Sequence, residues 1–136
     1  MAAGTPEAAD KEEAMYGEEL VLDIHGCNVE LFTRKAIKAY LVKLCDEIIG
    51  MERAQLHWWD YEGEPEEYAE APPHLKGVSC VQFITTSTIV IHTLEELGTI
   101  MVNIFSCKDF DTAKAAAFTG EYCDGEIVTE EVINRL

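Results

Sequence analysis

Residues 77–107 read GVSCVQFITTSTIVIHTLEELGTIMVNIFSC, and they decide the fold. Val78–Thr86 and Thr88–Thr93 are rich in β-branched and apolar residues, and the polar cluster Thr85-Thr86-Ser87-Thr88 lies where they meet. Two strands joined near Thr86–Ser87 account for this pattern, with a single bent strand as the alternative. Gly98 and Thr99 then lead into another strand over Ile100–Phe105.

Upstream, Glu19–His25 alternates as a strand does, with Leu20, Leu22 and Ile24 sharing one face, and Gly26 breaks it. Asn28 is a candidate N-cap. From Leu31 to Ile49 the residues Ile37, Tyr40, Leu41, Leu44, Cys45 and Ile48 recur at intervals of three and four. That spacing predicts an amphipathic helix with one buried face, ended by Gly50. Ala54–Tyr61 predicts a second strand, and Glu62–Lys76, rich in acid and proline, a long loop. Downstream, the spacing predicts a helix over Asp111–Tyr122 with Asp111 as its cap, then a last strand over Glu126–Ile133. Hairpin-linked strands with two helices suit an α+β two-layer sandwich, a mainly antiparallel sheet with the helices packed on one face. Residues 1–17 carry scattered acids with no apolar period and are expected to be a mobile acidic tail, leaving 18–136 as a single domain.

The composition narrows the function. At 136 residues there is room for one domain, and 48% hydrophobic residues against 26% charged suffices for a packed core. With 26 Asp and Glu against 10 Lys and Arg, the formal net charge is -16. Such a chain repels phosphate backbones and anionic lipid, so no nucleic-acid and no membrane partner is expected, and a cationic small molecule suits it better. The five cysteines are scattered without a CxxC pair, and the four histidines are far apart, so neither a metal site nor a disulfide framework is expected. No stretch reads as a signal peptide or membrane span, and a cytoplasmic protein is the expectation. Phosphate-binding glycine loops, HExxH and GxSxG are missing from the sequence.

Three polar residues interrupt the apolar strands: Ser87, His92 and Cys107. Singly each is ordinary: a turn serine, a satisfied strand histidine, a packed cysteine. Together, with Gly77-Val-Ser-Cys80, the Ile91-His92-Thr93 strand, Glu96 four positions beyond the histidine and Phe105-Ser-Cys107, the stretch resembles the prokaryotic S-adenosylmethionine decarboxylase family. Leu22-Asp-Ile-His-Gly-Cys27 is similar to that family's first strand and turn. The likeness covers most of 17–123, is gapless from Gly77 to Cys107 and is weakest over 58–76.

The resemblance implies a self-processing, pyruvoyl-dependent decarboxylase. The Ser87 hydroxyl would attack the Thr86 carbonyl, His92 would assist processing by removing the Ser87 α-proton, and Ser79 would support the intermediates. Cleavage between Thr86 and Ser87 would leave a pyruvoyl group derived from Ser87 as the cofactor. A ketone of that kind forms a Schiff base with a substrate amine and accepts the electrons left by departing CO2, which no ordinary side chain can do. By the same resemblance Cys107 would be the proton donor to carbon and Glu96 would bind the ribose hydroxyls of the substrate. A homodimer is implied, which would also cover an open sheet edge.

The chain departs from the family at Thr86, usually Glu; at Thr88, usually His; and at Leu94-Glu95, usually Trp-Pro. The last change motivates an alternative, decarboxylation of arginine or ornithine on the same scaffold. The changes at Thr86 and Thr88 motivate another, an unprocessed, catalytically silent regulatory subunit. The acidic loop 60–76 would either collect a cationic substrate or be a solvated insertion. Trp58 and Trp59 point to opposite faces of a strand, so only one of them can serve an adenine. Ser87 and His92 are an odd number apart, so Ser87 has to sit in a turn or bulge if the two are to cooperate.

Overall fold

The computed structural model describes residues 15–136, and the stretch 1–14, most of the expected tail, lies outside them. Six strands form one sheet: β1 (Gly17–His25), β2 (Arg53–Trp59), β3 (Ser79–Ile84), β4 (Ser87–Leu94), β5 (Thr99–Ser106) and β6 (Glu126–Arg135). Their order is β2-β3-β4-β5-β1-β6, and every neighbouring pair is antiparallel. Two longer helices, α1 (Arg34–Lys43) and α3 (Thr112–Cys123), and one short helix, α2 (Pro65–Glu70), complete the fold. The expected α+β sandwich is the observed one. The tail boundary moves, however: Gly17 begins β1, and Tyr16 N–H donates to the Arg135 carbonyl at 2.6 Å.

Alternation decides which face is buried. Leu20, Leu22 and Ile24 of β1, Ile89 and Ile91 of β4, and Ile100, Val102 and Ile104 of β5 pack in one core with Ile37, Tyr40, Leu41 and Leu44 from the first helical segment and Ala115 and Ala116 from α3. Burying each large aliphatic side chain here is worth about 1.5–3 kcal/mol. The helices are tied together by Tyr40 Oη and Thr119 Oγ1 at 2.6 Å and by Tyr122 Oη donating to the Ala36 carbonyl at 2.7 Å. The opposite face, carrying Val81, Phe83, Val90, Met101 and Phe105, has no α-helix over it among the described residues and is half-buried to exposed.

Local chemistry shifts several boundaries. Asn28 caps only a single turn, Val29–Leu31, by accepting from Glu30 N–H. The cap of α1 is Thr33, whose Oγ1 accepts from Ala36 N–H at 3.1 Å. The helix then widens into a π turn over Leu44–Ile48, closed by Ile49 N–H on the Leu44 carbonyl at 2.9 Å. The long loop is not structureless. Pro65 occupies the first turn of α2, where its missing N–H costs nothing, and Pro73–Leu75 make one further tight turn. Asp111 caps α3 as expected, accepting from Lys114 N–H at 3.0 Å.

Candidate active site

The β3–β4 hairpin turns in two residues, Thr85 and Thr86, because Ile84 pairs directly with Ser87. Closing so short a loop needs a left-handed residue, and Thr86 takes that conformation with φ 59°. A β-branched side chain there is strained, at a cost of about 1–2 kcal/mol. The strain sits on the residue whose carbonyl forms the peptide bond to Ser87.

Around this bond the strand ends bring three polar groups together. Ser87 is only 5% exposed, on the helix-covered face, and its Oγ accepts from the Cys107 N–H at 3.3 Å. Thr86 Oγ1 lies 2.8 Å from Cys107 Sγ and donates to the Thr85 carbonyl at 2.6 Å. The Thr86 hydroxyl, then those of Ser87 and Tyr16, hold the Cys107 thiol below its ordinary range, against a smaller opposing effect of burial. The other four cysteines are buried, and burial pushes Cys80 and Cys123 up to about 12. Cys107 is therefore the reactive thiol of the chain. A cavity of about 400 Å³ opens beside the Thr85–Thr86 turn, lined by Gly50, Met51, Glu52, Thr85, Thr86 and Lys108.

Ser79 and His92 form a second cluster. They are cross-strand partners on the open face, with Ser79 Oγ and His92 Nδ1 2.8 Å apart. Register here is pinned by the buried Thr93, whose Oγ1 accepts from Val78 N–H at 2.9 Å and donates to the Val78 carbonyl at 3.0 Å. Gly77 allows this approach, since a Cβ at that position would run into the Thr93 carbonyl oxygen. Glu96 lies at the same end of the sheet, in the turn between β4 and β5, with Oε2 held by Lys76 Nζ at 3.0 Å.

The two clusters do not meet within one chain. β4 is regular from Ser87 to Leu94, with Ser87 facing the helices and His92 facing away. Five residues of strand also separate them by about 16 Å. The turn before Ser87 does not reverse its side chain, so the expected cooperation of Ser87 with His92 in a single chain is absent. Ser87, Thr86 and Cys107 are together at the hairpin end; Ser79, His92 and Glu96 are at the opposite end.

The acidic loop is partly neutralised from within. Asp60 accepts a bidentate pair from Arg34 at 2.6 and 2.8 Å, and that guanidinium holds its carboxyl below the usual range. Arg34 also reaches Glu62 at 3.4 Å and lies over the Trp58 ring. Tyr68 Oη donates to Glu95 at 2.6 Å, an interaction that pushes its own pKa up to about 12. Two participants, Lys76 and Tyr68, escaped the sequence reading, as did the left-handed conformation of Thr86. A Thr-Thr pair lacks the Asn-Gly signature of tight hairpins, and nothing in the spacing marks Lys76 or Tyr68 as partners of Glu96 and Glu95.

Among the described residues, no helix is long and apolar enough to cross a membrane and no group of His, Cys, Asp and Glu is placed to hold a metal ion. Residues 18–136 match the family model described as S-adenosylmethionine decarboxylase. Among solved structures the chain is similar to the adenosylmethionine decarboxylase from Aquifex aeolicus VF5, with a TM-score of 0.70 and 19% identity, over 89% of this chain and 91% of that one. No curated protein sequence matches.

Proposed function

The chain belongs to the S-adenosylmethionine decarboxylase family, a family of carboxy-lyases, and on that premise we propose that it is a self-processing enzyme acting on S-adenosylmethionine through a pyruvoyl group made from Ser87. The observation that carries this reading is the meeting of Ser87, Thr86 and Cys107 at a strained two-residue turn. The Ser87 oxygen attacks the Thr86 carbonyl carbon, the peptide C–N bond breaks, and an ester links the two residues. Loss of the Ser87 α-proton then expels the Thr86 carboxylate, and water displaces the nitrogen as ammonia. Cutting here opens only the turn. β3 stays paired with β2 and β4 with β5, so both fragments stay in one fold.

The ketone so formed supplies an electron sink for the pair released with CO2. Cys107, partly exposed and with its Sγ 2.8 Å from the Thr86 hydroxyl, delivers the proton to carbon. Glu96, half-exposed and oriented by Lys76, accepts hydrogen bonds from the ribose hydroxyls. The product is the aminopropyl donor for spermidine synthesis. Five free thiols suit a reducing, cytoplasmic setting.

The separation of the two clusters supports a homodimer in which Ser79, His92 and Glu96 of one copy meet Ser87 and Cys107 of the other. The open face carries Phe83, 42% exposed, beside Val81, Val90 and Met101, an apolar surface suited to a second sheet.

Intact-mass measurement of purified protein tests the reading. Two fragments split between Thr86 and Ser87 are expected, and the Ser87→Ala variant stays whole. CO2 release is expected from S-adenosylmethionine and not from arginine or ornithine. A wild-type chain that never cleaves would make this a silent member of the family.

A further inference from the structure

The cavity beside the Thr85–Thr86 turn has one basic side chain in its wall, Lys108, and one acidic side chain, Glu52. Lys108 follows Cys107 directly, and its backbone is clamped. The buried Ser106 Oγ accepts from the Lys108 N–H at 2.9 Å and donates to the Lys108 carbonyl at 2.8 Å. The side chain, by contrast, is exposed, and its Nζ donates to the Gly50 carbonyl at 3.0 Å. Thr86 lines the same cavity, and its Oγ1 lies 2.8 Å from the Sγ of Cys107, the residue before Lys108.

Cleavage between Thr86 and Ser87 changes the charge at this place. Loss of the Ser87 α-proton forms a Cα–Cβ double bond, breaks the Cβ–O bond of the ester and leaves that electron pair on the Thr86 carboxylate. Ordinary proteolysis would add an amine to balance the new acid, but here the nitrogen leaves as ammonia. The chain, already at a formal net charge of -16, therefore gains an uncompensated negative end beside Glu52. An ammonium carries three donors, and the Gly50 carbonyl is the one partner of the Lys108 ammonium among the described residues. Two donors remain for a carboxylate, and a hydrogen bond between two charged groups is the stronger kind. Breaking the chain also removes the need for a left-handed Thr86, so its carboxylate turns toward Lys108 with relief of strain.

We infer that Lys108 is the counter-ion of the carboxylate that self-cleavage creates on Thr86, a positioning residue that favours departure of that carboxylate and then holds the new chain end in the cavity. The inference rests on the self-processing reading above. It gives the exposed Lys108 and its cavity a part in maturation, at the step that opens the ester.

Two measurements on the full chain test it. Self-cleavage is timed by intact mass, with hydroxylamine added in parallel to trap the ester as a Thr86 hydroxamate. Lys108→Met is expected to cleave roughly two- to five-fold more slowly, the scale of one exposed ion pair, and to yield more hydroxamate than wild type. Lys108→Arg keeps the charge and behaves as wild type. On the cleaved proteins, carboxypeptidase digestion read by mass follows removal of Thr86. The wild-type end resists, the Lys108→Met end is trimmed faster, and salt at about 1 M narrows the difference by screening. A lysine that only braced the Gly50 carbonyl would slow cleavage without raising the hydroxamate yield or baring Thr86, and that result overturns the inference. Wild-type cleavage and trimming in Lys108→Met also overturn it, while self-processing stands. A wild-type chain that stays whole overturns both.

Discussion

Thr86 joins two roles in one residue: its backbone is strained into the left-handed region, and its hydroxyl is the main influence on the Cys107 thiol. A thiol held below its ordinary range is protonated only at lower pH, so proton donation weakens as pH rises through the lowered value. The same shift raises the thiolate fraction near neutrality. Iodoacetamide labelling read by intact mass isolates this thiol, because the other four cysteines are buried. In an uncleaved Ser87→Ala background the labelling midpoint is expected below about 8.5, the value of an unperturbed thiol. Adding Thr86→Val keeps the branched shape but removes the hydroxyl, and the midpoint should move up; an unchanged midpoint would remove Thr86 from this role. In the sequence, Ser87, His92, Cys107 and Glu96 were singled out by the family resemblance, since each alone reads as an ordinary strand or turn residue. Their grouping was not legible. Strand parity showed that Ser87 and His92 face apart, but a turn beside Ser87 left open a local reversal that regular pairing with Phe105 and its neighbours forbids.

At the scale of elements, periodicity carried the sheet and both longer helices because burial on one face writes directly into the sequence. Loop 60–76 escaped it, since α2 and the following turn bury no residue and are held by ion pairs and aromatic edges. Such contacts join residues far apart in sequence with no period. The β3–β4 register, by contrast, depends on one buried hydroxyl that looks unremarkable in the sequence. Thr93→Val preserves size and leaves the buried Val78 N–H without its side-chain acceptor. A loss of about 1–3 kcal/mol is expected in urea denaturation. Loosening Val78 also frees Ser79 from His92, so the cost should be accompanied by slower self-cleavage. A variant as stable as wild type would show that the pinning is redundant with the remaining Thr93 N–H bond to the Val78 carbonyl.

At the scale of the molecule, the sheet divides the proposed chemistry between its two ends and its two faces. The hairpin end supplies the nucleophile, the scissile bond and the thiol; the other end supplies the imidazole, its serine partner and the ribose carboxylate. A single copy cannot bend β4 to close that gap without breaking the ladder to β3 and β5, and each lost buried backbone pair costs about 1–3 kcal/mol. The homodimer proposed above would instead bring the imidazole of a second copy to the hairpin end. Mixing two defective chains decides between these arrangements. His92→Ala alone should stay largely whole, since it has Ser87 but no imidazole, and Ser87→Ala alone cannot cleave. In a mixed dimer the first chain's Ser87 faces the second chain's intact His92, so the His92→Ala chain is expected to cleave and CO2 release to appear. Mass analysis identifies which chain has been cut, because only the His92→Ala chain retains its serine. Cleavage in that chain on its own, at the wild-type rate, would show that the imidazole is dispensable. Failure of the mixture to cleave, with mixed dimers demonstrably formed, would show that the two clusters do not serve one site.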